Sequence, residues 1–158
     1  MTAAIFLVGL LASLFALSYF TKRRFGVLGL TLAAGALLSA NWAGTLTPFI
    51  EQQGIVLVSP PLAALVEATL ILLPPILLMF SGPSYDKPMP RLLGSLAFAV
   101  LAITFLLEPL GQSLRFDDAS LQIYSTLSNY QSMVIVAGLI AAIVDVFLTR
   151  NPRRKSGH

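Results

Sequence analysis

The chain has 158 residues, of which 56% are apolar and only 11% are charged. A soluble domain carries roughly 25% charged residues, so this composition excludes an ordinary soluble protein and predicts one that faces lipid. Basic residues exceed acidic ones by ten to seven, and the sequence contains no cysteine. Disulfide bonds, thiolate catalysis and cysteine-ligated metal sites are therefore excluded.

Uncharged stretches divide the chain into five candidate membrane spans, since a transmembrane helix needs about 20 mostly apolar residues. They cover approximately residues 3–20, 25–44, 61–80, 92–110 and 133–148. Basic residues follow the first stretch, whereas they would precede the apolar part of a signal peptide, so we interpret it as a span. The sequence predicts an all-α, polytopic membrane protein with one helical domain over residues 1–150 and a basic cytoplasmic tail over 151–158.

Two segments and a proline pair depart from this simple pattern. Pro74 and Pro75 lie inside the third stretch, remove backbone donors, and predict a kink or break near Leu70 to Leu73. From Asp118 to Gln131, apolar residues at three-residue spacing alternate with polar ones, which predicts an outer amphipathic helix before the fifth span. The moderately polar segment from Thr45 to Ser59 is expected to lie along the interface or to dip back into the membrane.

The basic residues fall mainly on one side of a five-span arrangement. That side holds Lys22, Arg23, Arg24, Lys87, Arg91, Arg150, Arg153, Arg154 and Lys155, and the other side holds Arg115. Cytoplasmic loops carry the excess of Lys and Arg, so the N-terminus is predicted outside and the C-terminus in the cytoplasm. This asymmetry explains the basic excess without a nucleic-acid partner.

Carboxylates inside the spans are the first candidates for function, because a charge near the bilayer centre costs about 2.5 to 3.5 kcal/mol on insertion scales. Glu67 lies roughly 9 Å into the third span from its outer start, and Glu108 lies near the outer end of the fourth, so the two can share a layer. Asp145 lies toward the cytoplasmic end of the fifth span. The functional hypothesis is a proton or cation relay with Glu67 as its deepest group.

Each carboxylate also has a structural interpretation. Glu108 and Asp145 lie close enough to a membrane surface to be hydrated, which lowers the cost of their charge. Glu67 is deeper, and its structural alternative is a hydrogen bond to Thr69, to Asn41 or to a backbone carbonyl. The sequence leaves both interpretations of Glu67 open.

Small residues recur at four-residue spacing in the second and fifth stretches, where they let helix backbones approach closely. They are Thr31, Gly35 and Ser39 in the second stretch, and Ala137 with Ala141 and Gly138 with Ala142 in the fifth. Packing within one chain is the first interpretation, because five helices must pack on each other before they pack on a partner. A seam between subunits is the alternative.

The sequence lacks the usual signatures of catalysis. The only histidine is His158, which excludes a Ser-His dyad and an imidazole ligand to haem within the bilayer. There is also no glycine-rich phosphate loop and no helical zinc motif. We therefore expect no enzymatic activity, no cofactor and no metal site.

Two short motifs suggest a family. A basic first turn, KRRFG at 22–26, precedes the uncharged second span, and the fourth span opens with PRLLGSL at 90–96. With the expected outer amphipathic segment, this arrangement resembles the colicin V production protein family of small bacterial inner-membrane proteins. The resemblance implies a bacterial inner-membrane location and a link to export or envelope homeostasis, and it transfers no catalytic residue.

Two functional hypotheses follow. The first is a non-enzymatic structural or accessory subunit of a membrane assembly, whose partners are the lipid bilayer and either other membrane subunits or further copies of itself. The alternative is a proton- or cation-coupled transporter or channel subunit that uses Glu67. A broken third helix would favour the alternative, since discontinuous helices commonly line the binding sites of transporters.

Overall fold

The computed structural model describes residues 2–55, 57, 60–80, 84–85, 88–113 and 118–149. These residues form the helices α1 (Thr2–Thr21), α2 (Phe25–Gln52), α3 (Leu62–Met79), α4 (Pro88–Ser113) and α5 (Asp118–Thr149). Four of the helices, α2 to α5, are long and apolar enough to cross a membrane, and α1 has a shorter apolar part from Ile5 to Thr21. The expected all-α, polytopic architecture is confirmed. The expected tail, 151–158, lies outside the described residues.

Several helix ends differ from the apolar stretches. α2 continues to Gln52 instead of ending near Gly44, so most of the expected interfacial connection after it is helical. α4 begins at Pro88, where a proline without an N–H suits the first turn, and continues to Ser113. α5 is one unbroken helix from Asp118, so the amphipathic segment and the fifth span are a single element. Hydropathy locates lipid contact, whereas a helix ends where its backbone hydrogen bonds end.

The break expected in α3 is absent, since the helix is continuous through Pro74 and Pro75. Pro75 has no N–H to donate to the carbonyl of Ile71, four residues earlier. That carbonyl lies against Gly35 of α2, at the position where a side chain would otherwise stand. The lack of a side chain at Gly35 thus lets the α2 backbone approach this carbonyl closely.

α4 is the central helix and α5 the peripheral one. In the most apolar window of α4, 61% of the residues are buried, compared with 6% in α5. α2 packs along α3, α1 packs on α4, and α5 leans on α2 and α4. The centre of the core includes Leu28 and Leu32 of α2 with Phe98, Leu101 and Leu106 of α4. Lipid is as apolar as these side chains, so close packing rather than exclusion of water stabilises the contacts.

The α1–α2 turn, the α3–α4 connection and the C-terminal part of α5 meet at one end of the bundle. Arg23 and Ser84 form an isolated antiparallel bridge. The Arg91 side chain donates a hydrogen bond from Nε to the Tyr19 carbonyl at 2.6 Å. This bond joins the N-terminal part of α4 to the C-terminal part of α1. We call this end of the bundle the basic end, because Lys22 lies there together with Arg23 and Arg91. The opposite end holds the connections after α2 and α4.

Candidate functional site

A cavity of about 400 Å³ lies between α2, α3, α4 and α5, in the half of the bundle opposite the basic end. Its polar lining consists of Glu67, Glu108, Ser39 and Gln131, and the remaining lining is mostly alanine and larger apolar side chains. We call it the carboxylate cavity. Each of the four helices contributes one polar residue, so the site exists only when all four are packed together.

The two glutamates meet because α3 and α4 run in opposite directions. Glu67 comes five residues after the start of α3, and Glu108 comes five residues before the end of α4. At about 1.5 Å of rise per residue, both lie some 7 to 8 Å from the same end of the bundle. The side chains line the same cavity and interact electrostatically. The structure thus brings together the two carboxylates that the sequence placed at similar depth.

The polar neighbour of Glu67 is one that the sequence did not indicate. Thr69 bonds to the Leu65 carbonyl at 2.7 Å, and the Asn41 amide bonds to the Leu37 carbonyl, also at 2.7 Å. Each of these two side chains thus bonds to a carbonyl of its own helix. The Gln112 side chain instead lies close enough to interact with the Glu67 carboxylate.

Two further polar residues complete the cavity. Gln131 of α5 lines it while its Nε2 donates a hydrogen bond to the Thr104 carbonyl at 3.2 Å, so its amide is held in place. Ser39 of α2 is 7% exposed and lines the cavity. Ser39 was identified from sequence only as a small packing residue, and Gln131 was assigned to an interfacial helix.

The charged side chains that line the cavity are all acidic. No Lys, Arg or His of the described residues lines it, although two carboxylates do. Glu67 is partly buried and Glu108 is exposed. Like charges that line one cavity repel each other, and a proton or a cation between them removes that repulsion. The described residues contain no group of three or more metal-binding side chains. Two carboxylates without a basic residue in the same lining are suited to holding a positive charge.

Asp145 has a structural role at the basic end. Arg24, the residue that precedes α2, provides no side-chain cap for the helix. Asp145 Oδ2 instead accepts a hydrogen bond from the Gly26 N–H at 2.9 Å, and the Tyr85 hydroxyl accepts one from the Phe25 N–H at 3.2 Å. A negative charge at a helix N-terminus is favourable, so Asp145 stabilises α2 and holds α5 against it.

Tyr85 ties the α3–α4 connection to the same place. Its N–H donates to the Lys22 carbonyl at 2.8 Å, and its hydroxyl donates to Asp145 Oδ1 at 3.3 Å. The Arg24 guanidinium lies 5.4 Å from the centre of its ring. Burial raises the pKa of the Tyr85 hydroxyl, and the Asp145 carboxylate raises it further, so the hydroxyl keeps its proton at neutral pH.

The small residues of α2 and α5 serve mainly to bring helices together. Gly35 lies against Ile71 of α3, and Gly138 lies against Leu101 of α4, where an added Cβ would come within 2.8 Å of the leucine side chain. Ala142 is fully buried beside Gly29. Small residues thus allow close packing within the chain at three helix pairs, α2 with α3, α4 with α5, and α2 with α5.

The remaining small residues do not share that role. Thr31 donates a hydrogen bond to the Leu28 carbonyl of its own helix at 2.9 Å. Ala137 and Ala141 are exposed and line a groove of about 540 Å³ between α4 and α5.

Comparison with known proteins gives no family: no protein-family model matches the sequence, and no curated protein or solved structure matches it. The resemblance to colicin V production proteins therefore stays a prediction. Inference about function rests on the geometry of the carboxylate cavity.

Proposed function

We propose that this polytopic membrane protein binds a proton or another cation at Glu67 and Glu108 and exchanges it across the membrane, as a transporter or as the ion-binding subunit of one. The observation that supports this function most is the carboxylate cavity itself. Two helices bring their acidic side chains together in a space that no described basic residue lines. Charged groups are costly within a membrane, so a pair without a basic partner is more simply explained by a bound positive charge than by packing.

A route for exchange follows from the way α5 is held. At the basic end, Asp145 and Ala142 fix α5 to α2. In the other half, few residues of α5 are buried, and Gln131 forms part of the cavity wall. We propose that a small tilt of α5 about its attachment at the basic end opens the cavity and breaks the hydrogen bond from Gln131 to the Thr104 carbonyl. The break in α3 that would have favoured a transporter is absent. The support for transport therefore comes from the carboxylate cavity.

The test is proton or cation flux in vesicles that contain the purified full chain. Glu67→Gln keeps the size and most of the hydrogen-bonding capacity of the side chain and removes only its ionisation. We expect flux from the native protein and a loss of at least about tenfold in Glu67→Gln, since the pair can no longer take up and release a charge. Glu51→Gln changes an exposed carboxylate at the end of α2 and is the matched control.

Flux from Glu51→Gln should equal that of the native protein. Absence of flux from the native protein, or equal flux from the native protein and Glu67→Gln, would contradict the proposed function.

An accessory, non-enzymatic role in a membrane assembly is the second candidate. The groove between α4 and α5 supports it, because exposed Ala137 and Ala141 allow another helix to approach closely. The chain has no cysteine, so a single introduced thiol reports contacts cleanly. Ala137→Cys should crosslink to a second copy under oxidation if the groove mediates self-association, whereas Val136→Cys, exposed on the adjacent face, should not. Equal crosslinking of both variants would contradict a specific interface.

The location proposed for the protein is the bacterial inner membrane, with the N-terminus outside and the basic end in the cytoplasm. The grouping of Lys22, Arg23 and Arg24 with Arg91 at one end supports this orientation, because the positive-inside rule places such a cluster in the cytoplasm. In that orientation the carboxylate cavity lies in the outer half of the membrane.

A further inference from the structure

The size and lining of the carboxylate cavity indicate what kind of cation it holds, an inference that rests on the function proposed above. We propose that the cavity binds an organic monovalent cation, in which an ammonium group is joined to an apolar body, in preference to a metal ion.

The volume of the cavity favours a molecule over an ion. At about 400 Å³, it falls within the range of roughly 300 to 1,000 Å³ that is usual for small-molecule sites. A water molecule in the liquid occupies only about 30 Å³, so a metal ion would leave most of the space to be filled by water. Calcium also requires about six to eight oxygen ligands, and magnesium an octahedral set. The described residues provide no group of three or more carboxylate, histidine or cysteine ligands.

The walls of the cavity favour an apolar body. Ala36, Ala40 and Ala43 form the wall on α2, and Ile71 and Ile135 add branched side chains from α3 and α5. A hydrated ion would lose favourable contacts with water against such walls, whereas methyl and methylene groups lose none. An occupant that carries both apolar carbon and a positive charge matches this mixed lining.

The polar side of the cavity is arranged to receive an ammonium group. Phe105 and Glu108 are three residues apart on α4 and so share one face of the helix, and both line the cavity. The face of an aromatic ring attracts ammonium groups in addition to any carboxylate. On the α2 wall, the buried Ser39 hydroxyl adds a further oxygen atom to the polar lining.

The charge of the pair limits the occupant to one positive charge under ordinary conditions. One bound cation and one proton neutralise Glu67 and Glu108 together. When both carboxylates are protonated, binding of the cation releases one of the two protons, so affinity should fall as the pH is lowered. This exchange links the occupant to the proton flux of the proposed function.

Binding of benzyltrimethylammonium chloride to the full chain in nanodiscs of zwitterionic lipid tests the inference. Sodium and calcium chloride serve as inorganic comparisons, and benzyl alcohol as an uncharged one. We expect saturable binding of benzyltrimethylammonium at least about tenfold tighter than that of either metal ion, because charge and apolar surface both contribute. Benzyl alcohol should show no saturable binding, since it lacks the charge.

A pair of variants localises the binding. Ala40→Leu fills part of the cavity, whereas Ala34→Leu makes the same change at an exposed position on α2 outside the cavity lining. Ala40→Leu should weaken benzyltrimethylammonium binding by about tenfold or more, because the added carbon atoms occupy its space, and Ala34→Leu should bind as the native protein does. Thermal unfolding of both variants shows whether the helices remain packed.

The possible results separate this inference from the function on which it rests. Binding of sodium or calcium without binding of the organic cation would overturn the inference and leave cation exchange intact. Absence of binding by every cation, together with absence of flux in vesicles, would overturn both. Equal binding of benzyl alcohol and benzyltrimethylammonium would show a plain apolar void and also overturn the inference, a comparison that needs no variant to fold.

Discussion

Gly35 shows how a single missing side chain fixes the distance between two helices. A Cβ atom built there would collide with the Ile71 carbonyl oxygen and lie 2.9 Å from the carbonyl carbon and the Cα of the same residue. These are backbone atoms, which cannot move away by a change of rotamer. Gly9 of α1 offers the contrast, because a Cβ there would have no neighbour within 4 Å.

Gly35→Ala should lower the free energy of unfolding by about 1 to 3 kcal/mol, because the helices α2 and α3 must separate to admit the methyl group. Gly9→Ala should leave stability unchanged or raise it by up to about 1 kcal/mol, since alanine is the better helix former. Unfolding in detergent, followed by circular dichroism, measures both. Equal effects of the two substitutions would contradict the close approach at Gly35.

Asp145 provides a second test at the scale of one residue. Asp145→Asn keeps an acceptor for the Gly26 N–H but removes the negative charge at the start of α2, so we expect a loss of about 1 to 2 kcal/mol of stability. Glu51→Gln is an informative control, because Glu51 lies in the last turn of α2. A negative charge is unfavourable there, and its removal should be neutral or slightly stabilising. A similar loss in both variants would argue against capping by Asp145.

The candidate site could be predicted from sequence only in part. Depth counting was enough to place Glu67 and Glu108 in one layer, since it needs only the direction of each span and the rise per residue. Gln112 and Gln131 were not found, because their roles depend on which helices are neighbours and on how each is rotated about its axis. Neither property is recorded in the apolar pattern of a helix surrounded by lipid.

At the scale of helices, α5 tests the interpretation of the small residues. Ala142 is fully buried beside Gly29, where a Cβ added to the glycine would lie 3.0 Å from the alanine Cβ. Ala142→Leu should therefore force α5 away from α2 and lower the free energy of unfolding by about 1 to 3 kcal/mol. Ala141→Leu changes the neighbouring exposed position and should have little effect on the folding of one chain.

Thermal unfolding of the two α5 variants decides between the interpretations. If Ala141→Leu destabilised the monomer as much as Ala142→Leu does, the distinction between an internal contact and an exposed groove would be wrong.

The number and class of the helices could be predicted, but several of their ends could not. Length and apolar content identify a segment that lipid can surround, and all five segments are helical in the structure. The ends of α2 and α5 extend into polar sequence, because backbone hydrogen bonds continue there without help from hydropathy. The proline pair was expected to kink or break α3, and the helix is not broken there.

At the scale of the whole molecule, the arrangement of the helices predicts a topology that labelling can check. Ser84 lies at the basic end and Ser113 at the opposite end. Single cysteines at these positions are the only thiols in the chain. In intact cells, Ser113→Cys should react with a membrane-impermeant thiol reagent, and Ser84→Cys should react only after permeabilisation, because basic connections stay in the cytoplasm. The reverse pattern would contradict the proposed orientation.

The amino-acid composition was enough to predict a membrane protein, but it did not predict the function. The carboxylate cavity forms from residues that are distant in sequence, with Ser39 in α2 and Gln131 in α5 at its extremes. No short motif represents such a site. Its function is therefore accessible through the geometry of the packed helices and through measurements on the cavity itself.

The most direct of these measurements compares oppositely charged reagents at a cysteine inside the cavity. Ala40→Cys places the only thiol of the chain in the lining. Its reaction rates with a trimethylammonium and a sulfonate methanethiosulfonate are each divided by the rate of a free thiol. We expect the cationic reagent to be favoured by about tenfold or more, because the carboxylate pair attracts it, and this preference should disappear when Glu67→Gln and Glu108→Gln are added. An unreactive thiol, or a preference that survives both substitutions, would contradict a cation site at Glu67 and Glu108.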